Sequence, residues 1–367
     1  MTAPNPALLA RVVLERTIAI ARIPAPSGSE TRRAELVQGW WTDDGWDKVD
    51  VDETGNVWAL ARSGTGCAIV VCAHLDTVFA DDVAHDVREE DGRLFGPGVG
   101  DDSVAVASLS AVGDLLKNTS GRPVWLLATV GEEGLGNLRG IRGALGSFAS
   151  PIDVVIAVEG NYLGRVSATG VGSIRWRVNV TGPGGHAWEA PDAPSSIHAV
   201  AAMVAEIGTL RVADARTAVN VGGIGGGEAI NARARSAWFE LDLRGDDAAA
   251  LDALGLGARS AIDHHVDEGL EVRIEELGRR PAGRLDDDHP LVLAAISALK
   301  GAGIEPALVA TSTDANAAHD RGIPAIALGI TTGGGEHTPG EWIDVAPIAD
   351  GLAILAATVA SLEEALA

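Results

Sequence analysis

The sequence predicts an α/β protein, in which a doubly wound and mainly parallel sheet is interrupted by an inserted α+β segment. Short continuous apolar runs at 68–72, 124–130, 153–158 and 325–330 each lead into a glycine-rich or acidic loop. Such runs read as strands buried on both faces, the texture of a parallel sheet covered by helices. Helical patterns separate them, as in βαβ units. From about residue 169 the strands instead alternate polar and apolar residues, and the element order becomes β-α-β-β-α-β, which is ferredoxin-like. Residues 1–168 and 279–367 are therefore expected to form one domain, with 169–278 inserted in it.

The chain opens with a helical pattern over 7–22, which puts Leu8, Leu9, Val12, Val13 and Ile20 on one face. Pro24, Pro26, Ser27 and Gly28 end it. A second helix starts at Ser29-Glu30 and runs to about Trp41. Strands are expected near 49–60 and 67–73. An apolar helix rich in Ala and Ser follows at 103–117, its small side chains suiting close packing on the sheet. In the insert, Ser173–Val180 alternates like a strand with one solvated face. A helix at 194–210, strands near 217–225 and 233–244, a helix at 247–265 and a strand at 270–277 complete it. There is no internal repeat.

Composition narrows the functional classes. Of 367 residues, 46% are hydrophobic and 22% charged, values ordinary for a globular protein of two domains. A net charge of −23 weighs against nucleic acid and anionic membrane as partners. Cys67 and Cys72 are the only cysteines, five apart on an extended segment and too distant for a disulfide. They read as small core residues in a reducing compartment. Residues 1–30 show no secretory pattern, and no apolar run approaches a membrane span, so the expected location is the cytoplasm.

The chemistry begins at His74-Leu75-Asp76, just after the run 68–72. Side chains two apart on a strand point the same way, and the carboxyl ends of strands in open α/β sheets are where ligands bind. The imidazole could take a transition metal while Asp76 holds its other N–H. Similar elements follow: Asp101-Asp102 in a glycine-rich loop, Glu132-Glu133 within Gly131–Gly134, Glu159-Gly160 after 153–158, and His337 after Gly333-Gly334-Gly335-Glu336. Adjacent carboxylates such as Glu132-Glu133 repel unless a cation is present. Asp101-Asp102 could also serve as a helix N-cap. A set of His, Asp and Glu around a shared carboxylate suits two zinc ions, or cobalt or manganese, better than calcium.

With these residues in this order, the chain resembles the dizinc metallopeptidases that include peptidase T, aminoacylase, glutamate carboxypeptidase and succinyl-diaminopimelate desuccinylase. The resemblance covers essentially the whole chain. It is nearest the peptidase T-like branch, through Thr313-Asp314-Ala315-Asn316 and His337-Thr338-Pro339-Gly340-Glu341-Trp342. It implies a zinc-hydrolase catalytic domain with a lid and dimerisation insert, and two Zn2+ per chain. His74 and Glu159 would bind one ion, Glu133 and His337 the other, and Asp101 would bridge them. Asp76 would orient His74, and Glu132 would be the general base. His186, in Gly182-Pro183-Gly184-Gly185-His186, would reach across a homodimer formed through 169–278 and donate to the oxyanion. Asn231, Arg244 and Asn316 would contact substrate, with Arg244 binding its carboxylate. Relatives usually carry lysine where Ser103 stands, and hold a cis peptide after the bridging aspartate.

The expected activity is hydrolysis of a peptide or amide bond in a small peptide, of di/tripeptidase or carboxypeptidase type. An N-acyl-amino-acid deacylase is the alternative, since relatives acting on free amino termini tend to carry aspartate at the Glu159 position. A metal-free binding or scaffold protein is the alternative of another class. Loss of a ligand would favour it, and all five are present.

Overall fold

The computed structural model describes residues 5–366. Residues 1–4, which begin the stretch read as lacking a secretory pattern, lie outside the described residues, as does 367. The chain divides into two compact units, one of residues 1–170 and 284–367 and the other Val171–Gly283.

In the first unit, strands Val124–Thr129, Ala68–His74, Ile152–Glu159 and Ala325–Gly329 lie side by side and parallel at the centre of the sheet. Alternate residues of these apolar runs enter different cores. Ile69, Val71, Ala73, Leu126 and Ile156 join one core with Val13 and Ile20 of helix Pro6–Ala21, Leu109 of helix Val104–Leu116, Leu299 of helix Pro290–Gly301 and Leu355 of helix Ile348–Leu366. Val70, Cys72, Leu127, Val155 and Ala157 join another with Ile141 and Leu145 of helix Arg139–Ser147 and Ala317 of the turn Ala315–His319. Helices thus cover both faces, which explains why these strands need no polar side.

The sheet is mixed rather than mainly parallel. Residues 49–60 form not one strand but two, Asp47–Val51 and Val57–Arg62, antiparallel to each other. Asp52 makes the turn, its Oδ1 accepting from the backbone N–H of Thr54, Gly55 and Asn56. So short a connection permits only antiparallel pairing. Val57–Arg62 and Arg165–Gly170 then flank the parallel centre antiparallel to it. The first helix is also rotated from its expected face. Leu8 and Val12 are largely exposed, while Val13, Thr17, Ile20 and Ala21 are buried. Close packing of the helix Val104–Leu116 holds: a Cβ on Gly113 would lie 3.1 Å from both Ala61 and Trp46.

The second unit is a four-stranded antiparallel sheet in the order Thr217–Gly226, Ser236–Gly245, Gly172–Thr181, Glu271–Arg280. With helices Ser196–Ile207 and Ala248–His264 packed against it, this is the ferredoxin-like arrangement. Its last strand runs past 278, because the ladder resumes after a bulge and pairs Arg279 with Ile174 and Arg280 with Ser173. No described helix is long and apolar enough to cross a membrane.

Candidate metal centre

Strand register brings the predicted ligands to one edge of the first unit's sheet. His74 is level with Thr129, two residues before the Gly131-Glu132-Glu133 loop. Glu159 ends its strand level with Gly329, just before the loop that carries His337. The side chains converge on Asp101. Its Oδ1 lies 2.9 Å from His74 Nε2 and its Oδ2 3.1 Å from His337 Nε2. His337 Nε2 is also 3.3 Å from Glu133 Oε1. Donor atoms of Asp101, Glu133 and His337 all lie within 4.8 Å of one another, as do those of His74, Asp102 and Glu159, and those of His74, Glu132 and Glu133. One carboxylate facing two imidazoles, each with a further carboxylate at hand, is the geometry of a bridged pair of cations.

The two adjacent aspartates divide the work. Asp102 Oδ2 accepts from the backbone N–H of His74 at 3.0 Å, and its Oδ1 from that of Gly160 at 2.9 Å. Asp102 therefore clips the ends of two central strands and does not act as the N-cap that a carboxylate before a helix suggests. The next helix begins only at Val104, with no side-chain cap. The Asp101–Asp102 peptide is cis. The clip needs glycine at its far end, since a Cβ on Gly160 would fall 2.1 Å from Gly100 O.

Asp76 differs in the same way from its expected part. The acceptor for His74 Nδ1 is the Asp76 main-chain carbonyl at 3.0 Å, whereas the carboxylate stands 3.6 Å away. That carboxylate is occupied by the 131–134 loop: Oδ1 accepts from Glu132 N–H and Oδ2 from Glu133 N–H, both at 2.9 Å. Ser27 Oγ donates to it at 2.5 Å. Asp76 thus positions both glutamates through their backbone. Burial pushes its carboxyl up, but His74, Ser27 and the Glu133 N–H outweigh this and bring it to about 2.

The electrostatics call for cations. Asp76, Asp102, Glu132, Glu133, Glu159 and Glu341 are all buried. Burial drives the Glu159 carboxyl well above its ordinary value, and the charge on Asp102 adds to this; Asp102 is raised by its own burial. For His337, hydrogen bonds to Asp101 and Glu133 raise the imidazole to about 10. Burial opposes the charge on His74, yet Asp101 and Asp76 still hold it high. The two imidazole shifts are what a crowd of carboxylates does to a positive charge, and the two carboxyl shifts are what burial does to a negative one. A metal pair answers the same demand, and a donor set of two imidazoles with carboxylates suits zinc-type ions rather than calcium.

Sequence reasoning missed two supporting residues. Arg33, in helix Thr31–Asp43, is fully buried. Its Nη1 donates to Leu75 O at 3.0 Å and lies 3.5 Å from Ser103 Oγ. Burial lowers its pKa to about 10, with Asp76, Glu341 and Asp102 opposing, so it remains a cation at neutral pH. A guanidinium from another helix thus stands beside Ser103. Glu341 is also fully buried, and accepts from the backbone N–H of Gly98, Gly100 and Asp101 at 2.9, 2.6 and 2.7 Å. It pins the loop that presents Asp101. Neither residue carried a local signal, because these contacts reach 42 to 243 positions away.

We expect Glu341→Ala to strand those three donors and loosen the bridging aspartate. Groups that support metal ligands typically contribute ~10–100-fold to metal affinity. Competition with a chelator should show a loss of that size, accompanied by lower turnover at limiting metal. Unchanged affinity would remove Glu341 from the supporting set.

The predicted substrate residues fall in both units, Asn316 in the first and Asn231 and Arg244 in the second. Asn316 has no exposed surface, and its Oδ1 accepts from the Thr313 N–H at 2.9 Å. Its side chain closes the turn that begins at Thr313. In the second unit, His186 is exposed and its segment pairs with Ala232-Arg233, while Ala187 N–H donates to Asn231 O. His186 and Asn231 are therefore neighbours. Arg244 Nε donates to Asp242 at 2.7 Å and pairs opposite Ser173. That is the far end of the strand whose other end, Thr181, leads to His186, about 25 Å away at ~3.4 Å per residue.

Solved structures confirm this fold. Aminopeptidase PepT from Bacillus cereus superposes with a TM-score of 0.81 at 20% identity, covering 96% of this chain and 98% of that one. A tripeptidase from Staphylococcus aureus gives 0.79 at 20%, covering 97% and 98%. Bacillus subtilis YxeP, a dinuclear metal-binding peptidase, gives 0.72 at 15%, covering 98% and 99%. No curated protein sequence matches the chain. The model of Peptidase family M20/M25/M40 matches residues 70–361, a span holding all five candidate ligands and both glutamates of the 131–134 loop. This chain accordingly belongs to peptidase family M20/M25/M40, as a hydrolase of amide bonds.

Proposed function

We propose that the enzyme cleaves the peptide bond of di- or tripeptides, at a two-zinc centre held by His74, Asp101, Glu133, Glu159 and His337. The observation that carries this is the Asp101 carboxylate, whose two oxygens face two different histidines at 2.9 and 3.1 Å. His74 and Glu159 would complete one site, Glu133 and His337 the other. Bound there, the ions would supply Lewis acidity that lowers the pKa of water and polarises the scissile carbonyl. The solved relatives named for di- and tripeptide cleavage support the choice of substrate; besides the two above, these include the yeast dipeptidase Dug1p.

The rest of the chemistry belongs to the chain's own side chains. Glu132 is buried beside His74 and Glu133, and its backbone is fixed by Asp76. It takes the proton of the attacking water and returns it to the leaving amine, as general base and then general acid. His186, from the second unit, donates to the oxyanion of a neighbouring subunit in a homodimer. No acyl-enzyme is needed. Cys72 is buried, with its thiol pushed up first by burial and then by the charge on Asp314, so it is no nucleophile. Both cysteines are free, which supports a cytoplasmic setting.

A panel of dipeptides, tripeptides and N-acetyl amino acids, assayed with zinc, cobalt and manganese, tests the assignment. Di- or tripeptides should be the best substrates by kcat/KM. Preference for N-acetyl amino acids would make the enzyme a deacylase.

A further inference from the structure

A second cluster of metal-type donors lies wholly within the Val171–Gly283 unit. Helices Ser196–Ile207 and Ala248–His264 bury Val200, Met203 and Ile207, and Leu254, Ala258 and Ile262, in one core. Their carboxyl ends meet. Glu206 is in the last turn of one helix; His264 ends the other and His265 caps it. The arrangement around Glu206 is tight. His265 Nε2 lies 2.7 Å and His264 Nδ1 3.1 Å from the same oxygen, Glu206 Oε2. The imidazoles stack with centroids 4.6 Å apart and planes 24° from parallel. Donor atoms of all three residues lie within 4.8 Å of one another.

Two imidazoles and a carboxylate converging on one point form a ligand set. We propose that Glu206, His264 and His265 form an accessory site for a tetragonal divalent cation, Cu(II) or Ni(II), separate from the catalytic pair. With metal–ligand distances of about 2.0–2.1 Å, separations of 2.7 and 3.1 Å subtend roughly 80–100° at the ion. Such angles match square-planar or tetragonal coordination rather than tetrahedral zinc. Both helices point the negative ends of their dipoles at the site, and the chain carries a net charge of −23. The His264 side chain is 71% exposed, so an ion enters directly from solvent and water completes its coordination.

The test uses the holoenzyme, loaded with its catalytic metal, freed of excess by dialysis and titrated with CuCl2 at neutral pH. Paramagnetic resonance should show one tetragonal copper per chain with hyperfine splitting from two imidazole nitrogens. Catalytic metal content and peptide hydrolysis should stay constant. His264→Ala should halve the nitrogen pattern. The double variant His264→Ala/His265→Ala should abolish the signal and weaken copper binding at least ~10-fold, with His264→Gln/His265→Gln as a second pair should the alanines disturb the helix end. Equal copper affinity in a folded double variant would overturn the proposal. So would copper that enters the wild-type protein only by displacing the catalytic metal.

Discussion

Glu132→Ala should lower turnover by ~10²–10⁴-fold, the usual contribution of general acid–base catalysis, while both metal ions remain bound. Both backbones hang on Asp76 and both carboxylates share a donor group with His74, but only Glu133 also shares one with Asp101 and His337. Glu133 reaches to 3.3 Å from His337 Nε2 and belongs to the donor group of Asp101 and His337. Glu133→Ala should therefore lose metal, and added metal at high concentration should restore part of its activity. Glu132→Ala should keep its metal and stay inactive at any metal concentration. Glu132→Gln keeps the size of the side chain, removes the basic oxygen and should behave the same way. If Glu132→Ala turns over like wild type, the proton is carried elsewhere.

Mixing two inactive proteins should restore activity. The single variants His186→Ala and Glu132→Ala each lack one function, and loss of one oxyanion donor typically costs about 10²–10³ in turnover. Arg244 pairs opposite Ser173, and the other end of that strand, Thr181, from which the chain continues to His186, lies about 25 Å along it at ~3.4 Å per residue. A tripeptide is far too short to touch both Arg244 and His186 on the same insert. A two-fold pair removes the difficulty, because one active site can draw Arg244 from one subunit and His186 from the other. After subunit exchange, heterodimers should hold one site with intact Glu132 and intact His186. Activity should then rise to a sizeable fraction of wild type. Exchange demonstrated by mass, with no activity gained, would place His186 outside the site it is proposed to serve.

The candidate centre was legible where its residues end or follow buried apolar strands, as His74, Glu133 and Glu159 do. Runs such as 68–72 and 153–158 can only be central strands, and the parallel register then sets His74, Glu159 and the residues after Thr129 at one edge. What escaped notice depends on long-range contact. Arg33 and Glu341 look like ordinary surface residues of a helix and a loop, until folding buries them behind the Asp101 loop. Asp76 illustrates a subtler gap: spacing put it near His74, but only the structure shows its carboxylate spent on the backbone of Glu132 and Glu133. For Asn316 the resemblance gave a substrate contact, and the structure adds that it is fully buried with its Oδ1 accepting from the Thr313 N–H. Helix amphipathicity at 7–22 was legible only in outline, because Leu8 and Val12 fit the apolar period but face away from the core.

The account rests on two ions bridged by Asp101, and metal content tests it most directly. Protein should be purified without chelator, in the His264→Ala/His265→Ala background, so that only the ligands at the sheet edge are counted. Elemental analysis should find two zinc ions per chain, and removing them should abolish peptide hydrolysis. A fully active enzyme that contains no transition metal would contradict it.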